Sequence, residues 1–185
     1  MTQNWRHLPA PARPIAAAAL AGVAAARHRD SSALTEAAAG LAALDPAQVG
    51  LILGTAIRVV LEDTHPDGVD GDDVRTVLQR CARSAAVWHP EVDPHVLLVL
   101  LAGALGVWED DGEPLPSPES QARHAALLLA DLIGDVPDRV SGGVPGDLPG
   151  GLSGDLSGGD EVADKRVTAY LTAALAEIER AQLND

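Results

Sequence analysis

An uninterrupted apolar run constrains the fold of this chain more than any other feature. Residues 96–108, thirteen in all, include no charged or hydroxyl-bearing side chain. Asp93-Pro94 precedes the run and Glu109-Asp110-Asp111 follows it. A helix needs about 20 apolar residues to cross a bilayer, so this run is too short to do so. A helix that is apolar on every face must be surrounded by protein, and the sequence therefore predicts a helical domain wrapped around this segment.

The remaining sequence indicates an all-α fold. No stretch alternates apolar and polar residues in the manner of a strand. Apolar residues at helical spacing, together with capping residues and prolines at helix starts, instead predict seven helices. They cover about residues 14–29, 33–44, 46–63, 70–85, 94–108, 118–133 and 160–183. We expect a bundle of six or seven helices in which the third and fifth are the central apolar ones.

Composition divides the chain into four parts. Residues 1–13 form a proline-rich arm, and residues 14–140 form the helical bundle domain. Residues 141–159 consist mainly of Gly, Pro, Ser and Asp, which is typical of a flexible linker. Residues 160–185 follow as a C-terminal amphipathic helix that the glycine-rich linker tethers to the bundle.

The charge balance restricts the kinds of partner. The 185 residues include 27 Asp and Glu against 13 Lys and Arg, a formal net charge of -14. Nucleic-acid binding requires a basic footprint, and none is visible, so we expect neither a nucleic-acid nor a membrane partner. The single cysteine, Cys81, excludes an internal disulfide framework and lies on the apolar stripe of a helix, where a buried structural thiol is expected. The N-terminal segment lacks the apolar strength of a signal peptide, so a cytoplasmic location is expected.

One short segment has the composition of a metal site. His89, Glu91, Asp93 and His95 alternate over seven residues, and imidazole with carboxylate ligation suits zinc, iron or manganese. The acidic stretch at residues 62–73 could add oxygen ligands to such a site. The alternative is structural: Asp93 caps a helix, prolines stiffen an exposed connection, and the acids at 70–73 lie at a helix N-terminus, which favours negative charge.

The C-terminal helix has a clear apolar stripe. Its strongest members are Val167, Tyr170, Leu171, Leu175 and Ile178. An isolated helix of this length is only marginally stable in water, so the stripe needs a surface to cover it. That surface belongs either to the chain's own bundle or to a partner, which could be a second copy or a different protein. We predict the five residues as partner contacts.

These observations favour a non-enzymatic function. The sequence contains no nucleophile elbow, phosphate-binding glycine loop or helical metal-binding pair. We therefore expect a helical protein–protein interaction or regulatory module that acts through its acidic surface and its C-terminal helix, without a cofactor. The alternative is a metal-dependent enzyme that uses the 89–95 segment and a divalent metal ion. A third possibility is a small-molecule binder with an aliphatic pocket between the third and fifth helices.

Overall fold

The computed structural model describes residues 12–108, 112, 114–135 and 157–183, and the regular secondary structure within them is entirely helical. This confirms the all-α prediction. The predicted arm up to residue 11 and most of the predicted linker lie outside the described residues. The helices are α1 (Ala12–Arg27), α2 (Ser31–Ala42), α3 (Pro46–Thr64), α4 (Gly71–Ala86), α5 (Pro94–Ala104), α6 (Pro118–Asp135) and α7 (Ser157–Leu183).

Aspartate side chains begin four of these helices. Asp30, Asp45, Asp70 and Asp93 each precede a helix, and each accepts a hydrogen bond from a backbone N–H group in the first turn. Such bonds satisfy N–H groups that have no partner within the helix. A proline follows directly after two of them, at the first positions of α3 and α5. Local capping chemistry therefore determines where these helices start.

The apolar run ends its helix earlier than predicted. α5 stops at Ala104, and Gly106 adopts a left-handed backbone conformation with φ of 71°. The N–H of Gly106 donates to the carbonyl of Gly103, and the N–H of Val107 donates to that of Ala102. This pair of bonds is a Schellman motif, which closes a helix and satisfies its last carbonyl groups. Residues 96–104 of the run thus lie in an 11-residue helix, and residues 105–108 lie beyond its end.

The centre of the bundle is α6, and not the apolar run. α6 contacts every other described helix, whereas α5 contacts only α3, α4 and α6 among them. Leu128 and Leu129 of α6 are at most 1% exposed, while Leu98 of α5 is 41% exposed. The prediction that the fifth helix is central is therefore wrong. The prediction of a central third helix agrees with the structure, because α3 contacts every other described helix except α4.

Small residues let α1, α2 and α6 approach closely. A Cβ atom added at Gly22 of α1 would lie 3.2 Å from the Cβ of Ala126 in α6 and 3.6 Å from that of Ala37 in α2. Both alanines are buried. The alanine-rich sequence of these helices thus serves close packing of backbones. None of the described helices combines the length and the apolar character needed to cross a membrane.

Candidate functional site

The predicted partner-binding stripe of α7 packs against the chain's own bundle. Val167, Leu171 and Leu175 are 1%, 1% and 6% exposed and belong to the hydrophobic core. Tyr170 and Ile178 are partly buried against that core. α7 contacts α3, α1 and α6. In this conformation the stripe is covered in cis, so contact with a partner requires α7 to leave α3.

Two polar pairs fasten α7 along the edge of this stripe. The hydroxyl of Tyr170 donates to Asp63 Oδ2 at 2.7 Å, and Arg58 Nη2 donates to Glu177 Oε1 at 2.7 Å. The first pair joins a later residue of α3 to an earlier residue of α7, so the two helices run antiparallel. Burial, with the hydrogen bond to Asp63, raises the pKa of Tyr170 to about 12. The pKa of Arg58 is raised mainly by its bond to Glu177, so the guanidinium group stays charged at neutral pH.

The acidic stretch between α3 and α4 is used for capping. Asp70 and Asp73 form a capping box at the start of α4, in which each side chain accepts a hydrogen bond from the other's backbone N–H. The N–H groups of Asp73 and Asp72 lower the pKa of Asp70. His65 Nε2 lies 3.9 Å from Asp73 Oδ1. The acids at 70–73 therefore serve the start of a helix, which is the structural alternative given above. Their side chains remain mostly exposed.

In the structure, the four predicted metal ligands have different environments and do not form one site. His89 is 1% exposed, and its Nδ1 lies 3.0 Å from the hydroxyl of Ser31. Glu91 Oε2 accepts from Arg123 at 2.6 Å, Asp93 caps α5, and His95 is exposed. Among the described residues, no three His, Cys, Asp or Glu side chains are gathered as a metal site would require. Burial of His89 also departs from the exposed connection that the sequence suggested.

His124 of α6 joins this segment to the centre of the bundle. Its Nε2 accepts a hydrogen bond from the backbone N–H of Asp93 at 2.8 Å, and its Nδ1 donates to the carbonyl of Ser120 at 2.7 Å. The side chain is 2% exposed. Burial is the main cause that lowers the pKa of both His124 and His89. The neutral imidazole of His124 is therefore a structural link between α6 and the start of α5.

A cleft of about 490 Å³ lies where α1, α4 and α6 end. Its polar side chains are Arg27 at the end of α1, Arg29 just beyond it, Arg80 and Ser84 of α4, and Asp131 of α6. Its apolar side includes Trp88, together with Cys81, Ala85, Leu127 and Ala130. Arg80 is far from Arg27 and Arg29 in the sequence, because the three residues come from different parts of the fold. No local pattern could have identified the cleft.

The pocket that the sequence suggested between the third and fifth helices is much smaller. The apolar groove there has a volume of about 50 Å³ and is lined by α2, α3, α5 and α6. Sites for small molecules usually measure about 300–1,000 Å³, so this groove does not accommodate a metabolite. No protein-family model, curated protein or solved structure matches this chain. Its function has to be inferred from its own geometry.

Proposed function

We propose that this chain is a non-enzymatic helical interaction or regulatory module that exchanges α7 between its own bundle and a protein partner. The observation that carries the proposal is the α7–α3 interface. An amphipathic helix whose apolar stripe completes the core is connected to the rest of the fold through residues 136–156, a stretch rich in Gly, Pro, Ser and Asp. A long connection of this composition imposes little constraint on where α7 docks, so the same helix can dock in cis or in trans.

The energetics explain why α7 needs a partner whenever it leaves α3. Burial of Val167, Leu171 and Leu175 contributes about 1.5–3 kcal/mol each. Their sum is comparable to the whole stability of a typical domain, about 5–15 kcal/mol. An undocked α7 is therefore rare unless another surface replaces α3. A second copy of this chain offers an identical α3, and a different protein needs an apolar groove of similar shape.

The acidic surface at the end of α3, where Asp63 holds Tyr170, supports recognition of a basic partner. Glu62, Asp63, Asp67 and Asp72 are exposed there, and Asp63 is the acceptor that holds Tyr170 of α7. Cations on a partner that pair with Asp63 compete with this hydrogen bond. Charge-assisted contacts of this kind mainly accelerate association and select among partners. Docking of a basic partner is thereby coupled to release of α7 through the carboxylate of Asp63.

A crosslink that holds α7 on α3 tests the proposal. Arg58→Cys and Glu177→Cys place two half-buried thiols across the interface for a short bis-maleimide. Cys81 can remain, because burial raises its pKa to about 12 and leaves almost no reactive thiolate. The probe is a fluorescein-labelled peptide of residues 157–185, followed by fluorescence anisotropy. We expect the uncrosslinked protein to bind the peptide in exchange for its own α7, and the crosslinked protein to bind at least tenfold less.

The matched control carries the same reagent within α7. Glu177→Cys with Arg180→Cys staples the helix to itself and leaves it able to dissociate, so it should bind the peptide like the uncrosslinked protein. Proteins that co-purify with this control, but not with the locked variant, are then the partners. If the peptide fails to bind even the uncrosslinked protein at high micromolar concentration over a day, α7 does not exchange and the proposal is wrong.

A further inference from the structure

The cleft between α1, α4 and α6 combines a large volume with a positively charged lining. Its volume of about 490 Å³ lies within the range of small-molecule sites. Among the described residues that line it, three are arginines and one is an aspartate, a formal charge of +2. The whole chain carries -14. A positively charged concavity on an acidic protein concentrates anions locally, because low-dielectric walls focus the field.

Part of this lining is held in a fixed geometry. Arg80 Nε donates to Asp131 Oδ2 at 2.9 Å, and the carboxylate side chain is only 14% exposed. This bond orients the guanidinium group across the cleft from α4 to α6. Cys81 beside it is 2% exposed with a pKa of about 12, so it is part of the apolar floor and not a nucleophile. Arg27 and Arg29 are the other two cationic residues of the lining.

Arg29 occupies a backbone position that favours glycine. Its N–H donates to the carbonyl of Ala26, and the N–H of Asp30 donates to that of Ala25. These bonds form a Schellman motif like the one that ends α5, where Gly106 has φ of 71°. Arg29 has φ of 56° and is the one non-glycine residue with positive φ in the described part of the chain. An L-residue is less stable than glycine in this conformation, because its Cβ atom crowds the following carbonyl oxygen.

We propose that this cleft binds a small organic phosphate, with the phosphoryl group against the arginines and an apolar or aromatic body against Trp88. A phosphomonoester carries about -1.5 to -2 charge at neutral pH, which matches the lining. Guanidinium groups bind phosphate oxygens through two parallel hydrogen bonds, and Ser84 adds a hydroxyl donor. The arginine at a glycine-favouring position is then explained by ligand binding, since strained residues often mark functional sites.

The test uses three probes that separate charge from shape. Phenyl phosphate has the dianion and an aromatic ring, inorganic phosphate has the charge alone, and benzoate has the ring with a single negative charge. Calorimetry measures the affinities, and the indole N–H signal of Trp88 in a ¹⁵N spectrum reports where binding occurs. We expect phenyl phosphate to bind most tightly, to shift the Trp88 signal, and to weaken as salt is added.

Substitutions at Arg29 connect binding to this cleft. Arg29→Gln should weaken phenyl phosphate binding about tenfold or more, as loss of a charged hydrogen-bond donor does. Arg75→Gln is the matched control: it changes the net charge equally, but Arg75 is paired with Asp72 at the start of α4 and does not line the cleft. It should leave the affinity within about twofold.

Arg29→Gly distinguishes a ligand-binding role from a structural one. Glycine relieves the backbone conformation, so the variant should raise the thermal unfolding midpoint and still lose binding. A lower midpoint would show that Arg29 is retained for the fold. The proposal is also overturned if none of the probes binds at millimolar concentration, if benzoate binds as tightly as phenyl phosphate, or if Arg75→Gln and Arg29→Gln weaken binding equally. Each of these outcomes leaves the exchange of α7 unaffected.

Discussion

At the scale of single residues, two buried imidazoles hold the 89–95 segment in place. His124 accepts a hydrogen bond from the backbone of Asp93, which requires an unprotonated Nε2. His89 lies 1% exposed with its Nδ1 close to Ser31. Protonation of either ring places a charge in the interior, and protonation of His124 also removes its acceptor atom. Both residues are therefore stable in the fold only as neutral groups.

This makes the fold sensitive to mild acid. Because burial lowers both pKa values below the ordinary 6.5, the unfolded state binds more protons than the folded state once the pH falls below that value. Stability is complete above pH 6.5 and decreases as the pH falls from 6.5 toward 5. The loss is up to about 1.4 kcal/mol per pH unit for each histidine. Urea unfolding at several pH values measures this slope.

His124→Gln should reduce that slope by roughly one half, because one of the two buried proton-binding groups is removed. The matched control, His95→Gln, removes an exposed imidazole from the same segment and should leave the slope as it is. A wild-type stability that stays constant between pH 7 and pH 5 would contradict the buried, neutral assignment of both rings.

At the scale of helices, a helix is buried when other helices surround it, and its apolar content matters less. α5 has the most apolar sequence, yet Leu98 on its outer side is 41% exposed. α6 includes Arg123, Glu119 and Asp131 and is nevertheless the hub of the bundle. Its ionic groups lie at its edges, paired with neighbours such as Glu91 and Arg80. A helix that meets neighbours on most sides can thus retain several charged residues.

Two leucine substitutions compare the two helices. Leu128→Ala in α6 removes a side chain that is 0% exposed and should lower the free energy of unfolding by about 2–5 kcal/mol. Leu98→Ala in α5 should change it by less than about 1 kcal/mol, since that side chain is partly in water. Denaturant unfolding measures both values. Equal losses would mean that α5 is as deeply packed as the apolar run suggested.

Close packing of α1 is tested at two glycines in helices. Gly22→Val should lower the free energy of unfolding by about 1–3 kcal/mol, because the added side chain meets the buried Cβ of Ala126. Gly40 of α2 is exposed, and a Cβ added there has no neighbour within 4 Å. Gly40→Val should therefore change stability by less than about 1 kcal/mol. If both variants behave alike, the close approach of α1 to α6 is not what requires glycine.

At the scale of the whole molecule, the last helix completes a core that the preceding helices build. α7 packs along α3 and also contacts α1 and α6, and Val167, Leu171 and Ala174 are at most 1% exposed. Residues far apart in the sequence therefore depend on one another for burial. The chain up to residue 156 contains the other described helices but lacks the surface that covers α3.

Deletion of residues 157–185 should consequently lower the thermal unfolding midpoint by at least several degrees and promote self-association, because the apolar face of α3 becomes exposed. Calorimetry and light scattering measure the two effects. Adding the 157–185 peptide should restore the midpoint by mass action. A truncated protein that remains monomeric with an unchanged midpoint would contradict the role of α7 in the core.

The sequence by itself determined the helical class and most helix boundaries, because their causes are local. The aspartate caps at Asp45, Asp70 and Asp93 and the spacing of apolar residues act within one or two turns. At Gly106, the apolar spacing did not predict the end of the helix. A left-handed glycine inside an apolar run ends the helix, although the run itself continues.

Only the tertiary structure decided which helix is central, what covers α7, and where the arginine cleft lies. Each depends on the faces that distant helices turn toward one another, and apolar spacing along one helix does not specify its neighbour. Arg27, Arg29 and Arg80 line one cleft with Trp88 because α1, α4 and α6 end close together. His89 is buried for the same reason, since α2 supplies Ser31 from 58 residues away. Local chemistry makes the helices, and long-range packing makes the sites.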